Sequence, residues 1–226
     1  TTMSKYRSLS TNKAVHIQPK NPAQDRLLRS IADSQLTVAI GPAGVGKTWC
    51  AVNAAVNLLQ SGKVRRIVLT RANLSVGRSL GFFPGTLYEK MTPWLMPMIS
   101  VIKSRLGPND YESKLHAGTI DFQPLETIRG MSYEDTIILV DEAQNLSYEE
   151  IKAITTRIGE SSRMVLMGDP MQRDIGNSGL SVFSRIVDHY DLPIPVITFD
   201  VSHIVRSDIV ADLVRTFLDY EKGDTK

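Results

Sequence analysis

A doubly wound α/β domain, with a mostly parallel sheet flanked by helices, is the fold this sequence predicts. Three observations carry that expectation. Short apolar runs alternate with longer stretches of helical period along the 226 residues. The first run passes through a glycine-rich loop into a helix and on to a second run, which makes a βαβ unit. Two later runs, 136–143 and 163–170, end in acids, at the carboxyl ends of strands where parallel sheets collect ligands.

Taken in order, residues 1–20 are polar and basic without a clear period and are expected to form a flexible arm. The domain is expected over 21–226. "NPAQDRLLRSIADS" (21–34) spaces Leu27, Leu28 and Ile31 as a helix does, after Pro22. "QLTVAIG" is a buried-type strand that runs into the glycine loop. "KTWCAVNAAVNLLQSG" is a helix rich in Ala and Leu, with Gly62 as its stop. "VRRIVLT" (64–70) is the next strand. Over 79–107, Gly81, Pro84 and Gly85 make a turn, and a helix follows that is interrupted or kinked at Pro93 and Pro97. Its Met and Trp residues are expected in the core. Strands follow at 118–124, 136–143, 163–170 and 194–199. "SYEEIKAITTRIG" is a helix with Ser147 as N-cap and Glu150 three residues on, a capping-box pattern. "GLSVFSRIVDHY" and "RSDIVADLVRTFLDYEK" are the last two helices.

Composition narrows the class. At 42% hydrophobic and 22% charged, the chain has the apolar material for a core. No apolar run approaches the roughly 18 residues of a membrane span, and the first twenty residues lack the apolar stretch of a secretory signal. Cys50 is the only cysteine, so no intrachain disulfide forms, which fits a reducing cytoplasm. His16, His116, His189 and His203 stand singly, against a protein-ligated zinc site. The net charge is only +2, but no acid precedes Asp25 and none lies between Asp33 and Glu89. Lys47, Lys63, Arg65, Arg66, Arg71 and Arg78 fall in the second window. This distribution makes either one positive face suited to a polyanion or a run of solvated bases.

The chemistry starts at "AIGPAGVGKTWC" (39–50). Gly41, Pro42, Ala43, Gly44, Val45, Gly46, Lys47 and Thr48 fit the P-loop pattern, strand before and helix after. Its glycines let several backbone N–H groups converge on one phosphate chain, and the helix adds its positive end. Lys47 brings charge to the outer phosphates and the Thr48 hydroxyl is placed for Mg²⁺. "IILVDEAQN" then puts Asp141 and Glu142 at a strand end. Asp141 suits the metal, and Glu142 is free to orient and deprotonate a water. The pair favours hydrolysis over transfer. "VLMGDPMQ" offers Gly168, Asp169 and Gln172; a glutamine amide there can donate to a γ-phosphate and accept from the attacking water.

In order and spacing, "GPAGVGKT", "VDEAQ" and "GDPMQ" resemble motifs I, II and III of superfamily 1 helicases. The intervening text is similar to the PhoH family of P-loop ATPases over about residues 20–220. The resembling stretches are "GKVRRIVLTRANLSVGRSLGFFPGTLYEKMTPWL", "IRGMSYEDTIILVDEAQN" and "VRSDIVADLV". That resemblance implies a single RecA-like domain that binds ATP and Mg²⁺. It implies that Gln24 reads the adenine edge, or is otherwise an exposed residue at a helix start. Thr70, Arg71 and Asn73 of "LTRAN" would touch a single-stranded backbone. Arg206 would reach the γ-phosphate. Arg129 would serve nucleic acid or a neighbouring subunit's nucleotide. Helicases of this kind close their site with a second RecA-like half; a chain with length for one implies a homo-oligomeric ring, with a hexamer favoured. Three function classes stay open: an ATPase acting on single-stranded RNA or DNA, a P-loop phosphotransferase of small molecules, and an ATP-switched protein-assembly module.

Overall fold

Parallel strands buried on both faces read as unbroken apolar runs, and the runs found in the sequence form one six-stranded sheet. The computed structural model describes residues 17–72, 85–171, 178–205 and 208–221. In chain order the strands are β1 (Leu36–Ile40), β2 (Arg66–Arg71), β3 (Ile120–Phe122), β4 (Thr136–Asp141), β5 (Arg163–Gly168) and β6 (Val196–Thr198). Their order across the sheet is β3-β2-β4-β5-β1-β6, and every pairing is parallel. β5 therefore lies between β1, which leads into the glycine loop, and β4, which ends in the acids.

The helices are α1 (Pro22–Asp33), α2 (Lys47–Gln60), α3 (Leu87–Leu106), α4 (Pro108–His116), α5 (Leu125–Gly130), α6 (Tyr148–Thr155), α7 (Gly179–His189) and α8 (Asp208–Glu221). Alternate strand residues feed two cores. Ala39, Ile67, Leu69, Ile137, Leu139 and Val165 pack under α1 to α4. Val38, Val68, Ile138, Val140 and Leu166 pack under α5 to α7. The expected capping box opens α6: Ser147 Oγ accepts from the Glu150 N–H at 3.2 Å, and Glu150 Oε2 accepts from the Ser147 N–H at 2.9 Å. Gly62 follows α2 in a left-handed conformation, as a helix stop should.

Four expectations change or narrow. Two short helices, α4 and α5, stand where none is predicted. α4 is set off by Gly107 (φ 80°) and Pro108, and only its Tyr111 is buried, so its pattern is too short to announce itself. The helix expected to be interrupted or kinked at Pro93 and Pro97 is not interrupted: it runs from Leu87 to Leu106 with both prolines inside it. Its Met and Trp residues divide. Met91 and Met98 join Leu95, Ile99 and Ile102 on the buried face, while Trp94 and Met96, which flank that face on either side, remain 45% and 44% exposed. The described bases of the acid-free window do not gather on one face either. Arg66 and Arg71 are the two ends of β2, about 16 Å apart at a strand's rise. Lys63, Arg65 and Arg66 stand at the amino-terminal edge of the sheet, where Arg65 pairs with Asp135 at 3.3 Å and Arg66 lies over the Tyr133 ring. Arg78 and residues 1–16 of the expected arm lie outside the described residues.

Candidate nucleotide-binding cleft

Four neighbouring strands, β1, β5, β4 and β2, end at the same edge of the sheet. Register aligns Ile40 with Gly168 and Arg71 with Asp141. The loops that follow therefore meet over one cleft of about 470 Å³, whose charged and hydroxyl lining is Lys47, Thr48, Arg71, Asp141, Glu142 and Asp169.

The glycine loop has the backbone that its sequence demands. Gly44 and Gly46 have φ of 85° and 91°, which favour residues without a Cβ. A Cβ on Gly46 would stand 2.6 Å from Gln24 Nε2. Val45 is fully buried and anchors the loop in the core, and the Val205 N–H donates to the Gly44 carbonyl at 3.1 Å from the other side. Lys47 Nζ donates to the Gly41 carbonyl at 2.5 Å and the Pro42 carbonyl at 2.9 Å. Burial lowers its pKa, opposed by the charges of Asp169, Asp141 and Glu142.

The acids sit on a tied frame. Burial raises the pKa of Asp141, and Glu142 raises it further; Arg71, the Glu142 N–H and Lys47 pull the other way. Glu142 takes a left-handed backbone, φ 54°, rare for a residue with a side chain and of the kind that clusters at functional sites. Both of its carboxylate oxygens are held: Oε1 by Arg71 Nη2 at 2.9 Å, Oε2 by Gln144 Nε2 at 2.6 Å. Gln144 Oε1 accepts from the Asp169 N–H at 3.1 Å, which joins the ends of β4 and β5. A Cβ on Gly168 would lie 2.7 Å from that same oxygen.

Of the residues singled out in the sequence, Ala43, Gly44, Gly46, Lys47, Thr48, Asp141 and Glu142 line this cleft together. Asn73, Gln172 and Arg206 lie outside the described residues. Three assignments are corrected or moved, and the place of a fourth residue, Arg129, is found. Gln24 is neither exposed nor turned toward the cleft. It is 1% exposed, its Nε2 donates to the Val45 carbonyl at 2.9 Å, and its Oε1 accepts from the Lys20 N–H at 2.9 Å. Its amide supports the loop from beneath. Thr70 is fully buried within β2, out of reach of any strand backbone. Arg71 turns into the cleft: it pairs with Glu142, stands 3.7 Å from Asp141, and donates from Nη1 to the Trp94 carbonyl at 3.1 Å. Arg129 lies away from this cleft, as either of its expected roles would have it; it pairs with Glu150 at 3.0 Å and braces α5 on α6. Asp169 stands out in the sequence without a role, and Gln144 does not stand out at all. Position at a strand end is the signal available for the first; the second is legible only once β4 and β5 are neighbours.

The oxygen-only donors Thr48 and Asp141 suit Mg²⁺, which keeps waters and takes phosphate oxygens rather than a full protein cage. Among the described residues no group of three or more His, Cys, Asp or Glu forms a metal cage.

A family model described as "PhoH-like protein" matches residues 16–218. The chain belongs to the PhoH-like family. It is 36% identical over 211 residues to a PhoH-like protein of Mycobacterium leprae, covering 92% of this chain and 60% of that one. It is 35% identical over 208 residues to a PhoH-like protein of Bacillus subtilis, covering 91% and 65%. This PhoH-like chain thus spans about 60–65% of the length of these relatives. Its fold is similar to that of a large terminase from a thermophilic bacteriophage, with a TM-score of 0.57, 11% identity, 88% of this chain covered and 50% of that one. The fold, the glycine loop and the strand-end acids together make this a P-loop NTPase domain. No described helix is long and apolar enough to cross a membrane.

Proposed function

We propose that this PhoH-like domain hydrolyses ATP with Mg²⁺ and couples the reaction to work on single-stranded RNA or DNA, as a homo-oligomer with six subunits favoured. The observation that carries the reading is the convergence of Lys47, Thr48, Asp141 and Glu142 on one cleft. Lys47 exchanges its two loop carbonyls for phosphate oxygens. Thr48 and Asp141 hold the metal, which when bound neutralises charge on the phosphates. Glu142, aimed by its strained backbone and by Gln144, accepts the proton of the attacking water.

Arg71 supports the coupling. It holds one oxygen of Glu142 and also the Trp94 carbonyl of α3. A strand resting on exposed Trp94 would shift α3, and with it the guanidinium that restrains the base. Aromatic platforms of this kind stack bases without reading them. Support for self-association comes from α8, where Ile209, Leu213, Phe217 and Tyr220 are all exposed and recur at helical spacing. The same stripe favours the assembly-module reading if its occupant is another protein.

The deciding measurement is phosphate release with and without single-stranded RNA or DNA at low salt, beside mass in solution. Stimulation that fades steeply with salt, from a species several subunits in size, is expected. Turnover indifferent to both nucleic acids would overturn the coupling. A phosphorylated acceptor in place of free phosphate would restore the phosphotransferase.

A further inference from the structure

Phosphates and base are recognised by different parts of a nucleotide site, and here the residues for the base are unassigned. Gln24, the residue expected to read adenine, engages backbone groups with both ends of its amide. Among the described residues, the polar side chains that line the cleft are Lys47, Thr48, Arg71, Asp141, Glu142 and Asp169, all at the phosphate and metal end. None is a neutral amide able to match a base edge. The remaining lining is small or apolar, and Trp49 is its one aromatic among the described residues.

Trp49 directly follows Thr48, in the first turn of α2. A triphosphate gripped by the amino-terminal end of α2 leads its nucleoside away from that turn by no more than the length of the phosphate chain. Trp49 is 37% exposed and lines the cleft, and Pro97 and Val101 of α3 add apolar surface to the same cavity. A flat, exposed ring with apolar neighbours, and with no edge-reading group beside it among the described residues, recognises a π-face and not a hydrogen-bond pattern.

Resting on the nucleotide-binding reading above, we propose that Trp49 is the nucleobase platform and that the cleft selects by stacking. Purine triphosphates bind in preference to pyrimidine ones, and adenine and guanine are accepted alike. Trp49 is then a specificity-determining residue, and ATP is the working nucleotide by abundance and not by recognition of its edge.

The test is equilibrium binding by calorimetry of Mg²⁺ with ATP, GTP, CTP, UTP or inorganic tripolyphosphate, to the parent, Trp49→Ala and Trp49→Phe proteins. Trp94→Phe supplies a background in which quenching of indole fluorescence reports Trp49 alone. ATP and GTP should bind the parent within about threefold of each other, ahead of CTP and UTP, and ATP should quench the indole. Trp49→Ala should weaken ATP and GTP by about 5- to 150-fold, the size of one base–aromatic stack. Tripolyphosphate should be unaffected, and Trp49→Phe should recover most of the loss. A parent that prefers ATP to GTP more than about tenfold, or a Trp49→Ala protein with unchanged ATP affinity, overturns the proposal. If the parent binds neither ATP nor tripolyphosphate, the underlying nucleotide reading fails and this one falls with it. If tripolyphosphate binds but the base adds nothing to affinity, only the platform is wrong.

Discussion

Asp141 and Glu142 are adjacent residues with different restraints, and each predicts its own phenotype. Asp141 is a buried carboxyl whose pKa is raised, chiefly by burial. In the nucleotide-free protein its stabilising contribution is full below the ordinary carboxylate pKa of about 3.9 and is lost as pH rises through the higher folded value. Asp141→Asn removes that loss. Its melting temperature should gain on the parent as pH rises from about 4 to about 7. The gain should be about 2–4 °C, the shift that ~1 kcal/mol gives in a domain of this size. Metal-dependent nucleotide binding should vanish in the same variant; an unchanged difference in melting temperature across pH would remove burial as the cause. Glu142 is a base poised by neighbours. Glu142→Gln should keep nucleotide affinity and lose about 10²- to 10⁴-fold in turnover, read as bound nucleotide against phosphate released. Equal losses in affinity and turnover would assign Glu142 to binding instead.

Contacts between elements decide which glycines are replaceable. Gly179 opens α7, and a Cβ there would stand 2.4 Å from the Ser147 carbonyl carbon and 2.5 Å from its oxygen. Those atoms are backbone at the start of α6, so they cannot rotate aside, and the Gly179 N–H already donates to the Leu146 carbonyl at 2.8 Å. Gly179→Ala should cost about 1–3 kcal/mol in urea unfolding, the usual size of an overpacking strain. Gly118, whose Cβ would meet nothing within 4 Å, has only its left-handed backbone (φ 70°) against substitution, and its alanine variant should lose about 1 kcal/mol or less. Matching losses at the two positions would show that conformation, not contact, governs both. α3 shows the same principle through a side chain. Arg105 reaches Asn53 at 2.7 Å and Asn57 at 2.8 Å, clasping α3 to α2, the helix that carries the glycine loop.

At the scale of the whole molecule, the domain presents apolar groups that its own packing does not cover. Ile209, Leu213, Phe217 and Tyr220 of α8 are between 45% and 71% exposed. α8 begins three residues after Val205, whose N–H bonds the glycine loop, so the helix starts near that loop in the chain. Replacing Leu213 and Phe217 by Asp should leave a folded protein of monomer mass in light scattering, with turnover reduced at least about tenfold if the neighbour completes the site. A variant that keeps the parent's mass would place the subunit contact elsewhere. The covered and uncovered faces follow from layer count: a sheet with helices on both sides closes its own core, and a helix beyond those layers has only another surface to bury against.

Much of this architecture is legible in the residues in order. Strand–loop–helix alternation announces the parallel sheet, the glycine spacing announces the phosphate loop, and "LVDEA" announces the acids, because each is a local pattern with a local physical cause. Direction is another matter. Thr70 and Arg71 are neighbours in one motif, yet one points into the core and the other into the cleft, since successive side chains of a strand face opposite ways. Gln24 belongs near the loop on sequence grounds, but whether its amide meets the base or the backbone depends on how closely α1 packs on Gly46. Tertiary packing, not composition, also splits the basic window between two sheet edges and makes Gln144 the tie between two acids from different strands. Local order along the chain determined which groups this protein carries; only the folding of distant segments against one another decided where those groups point and which of them can meet a ligand.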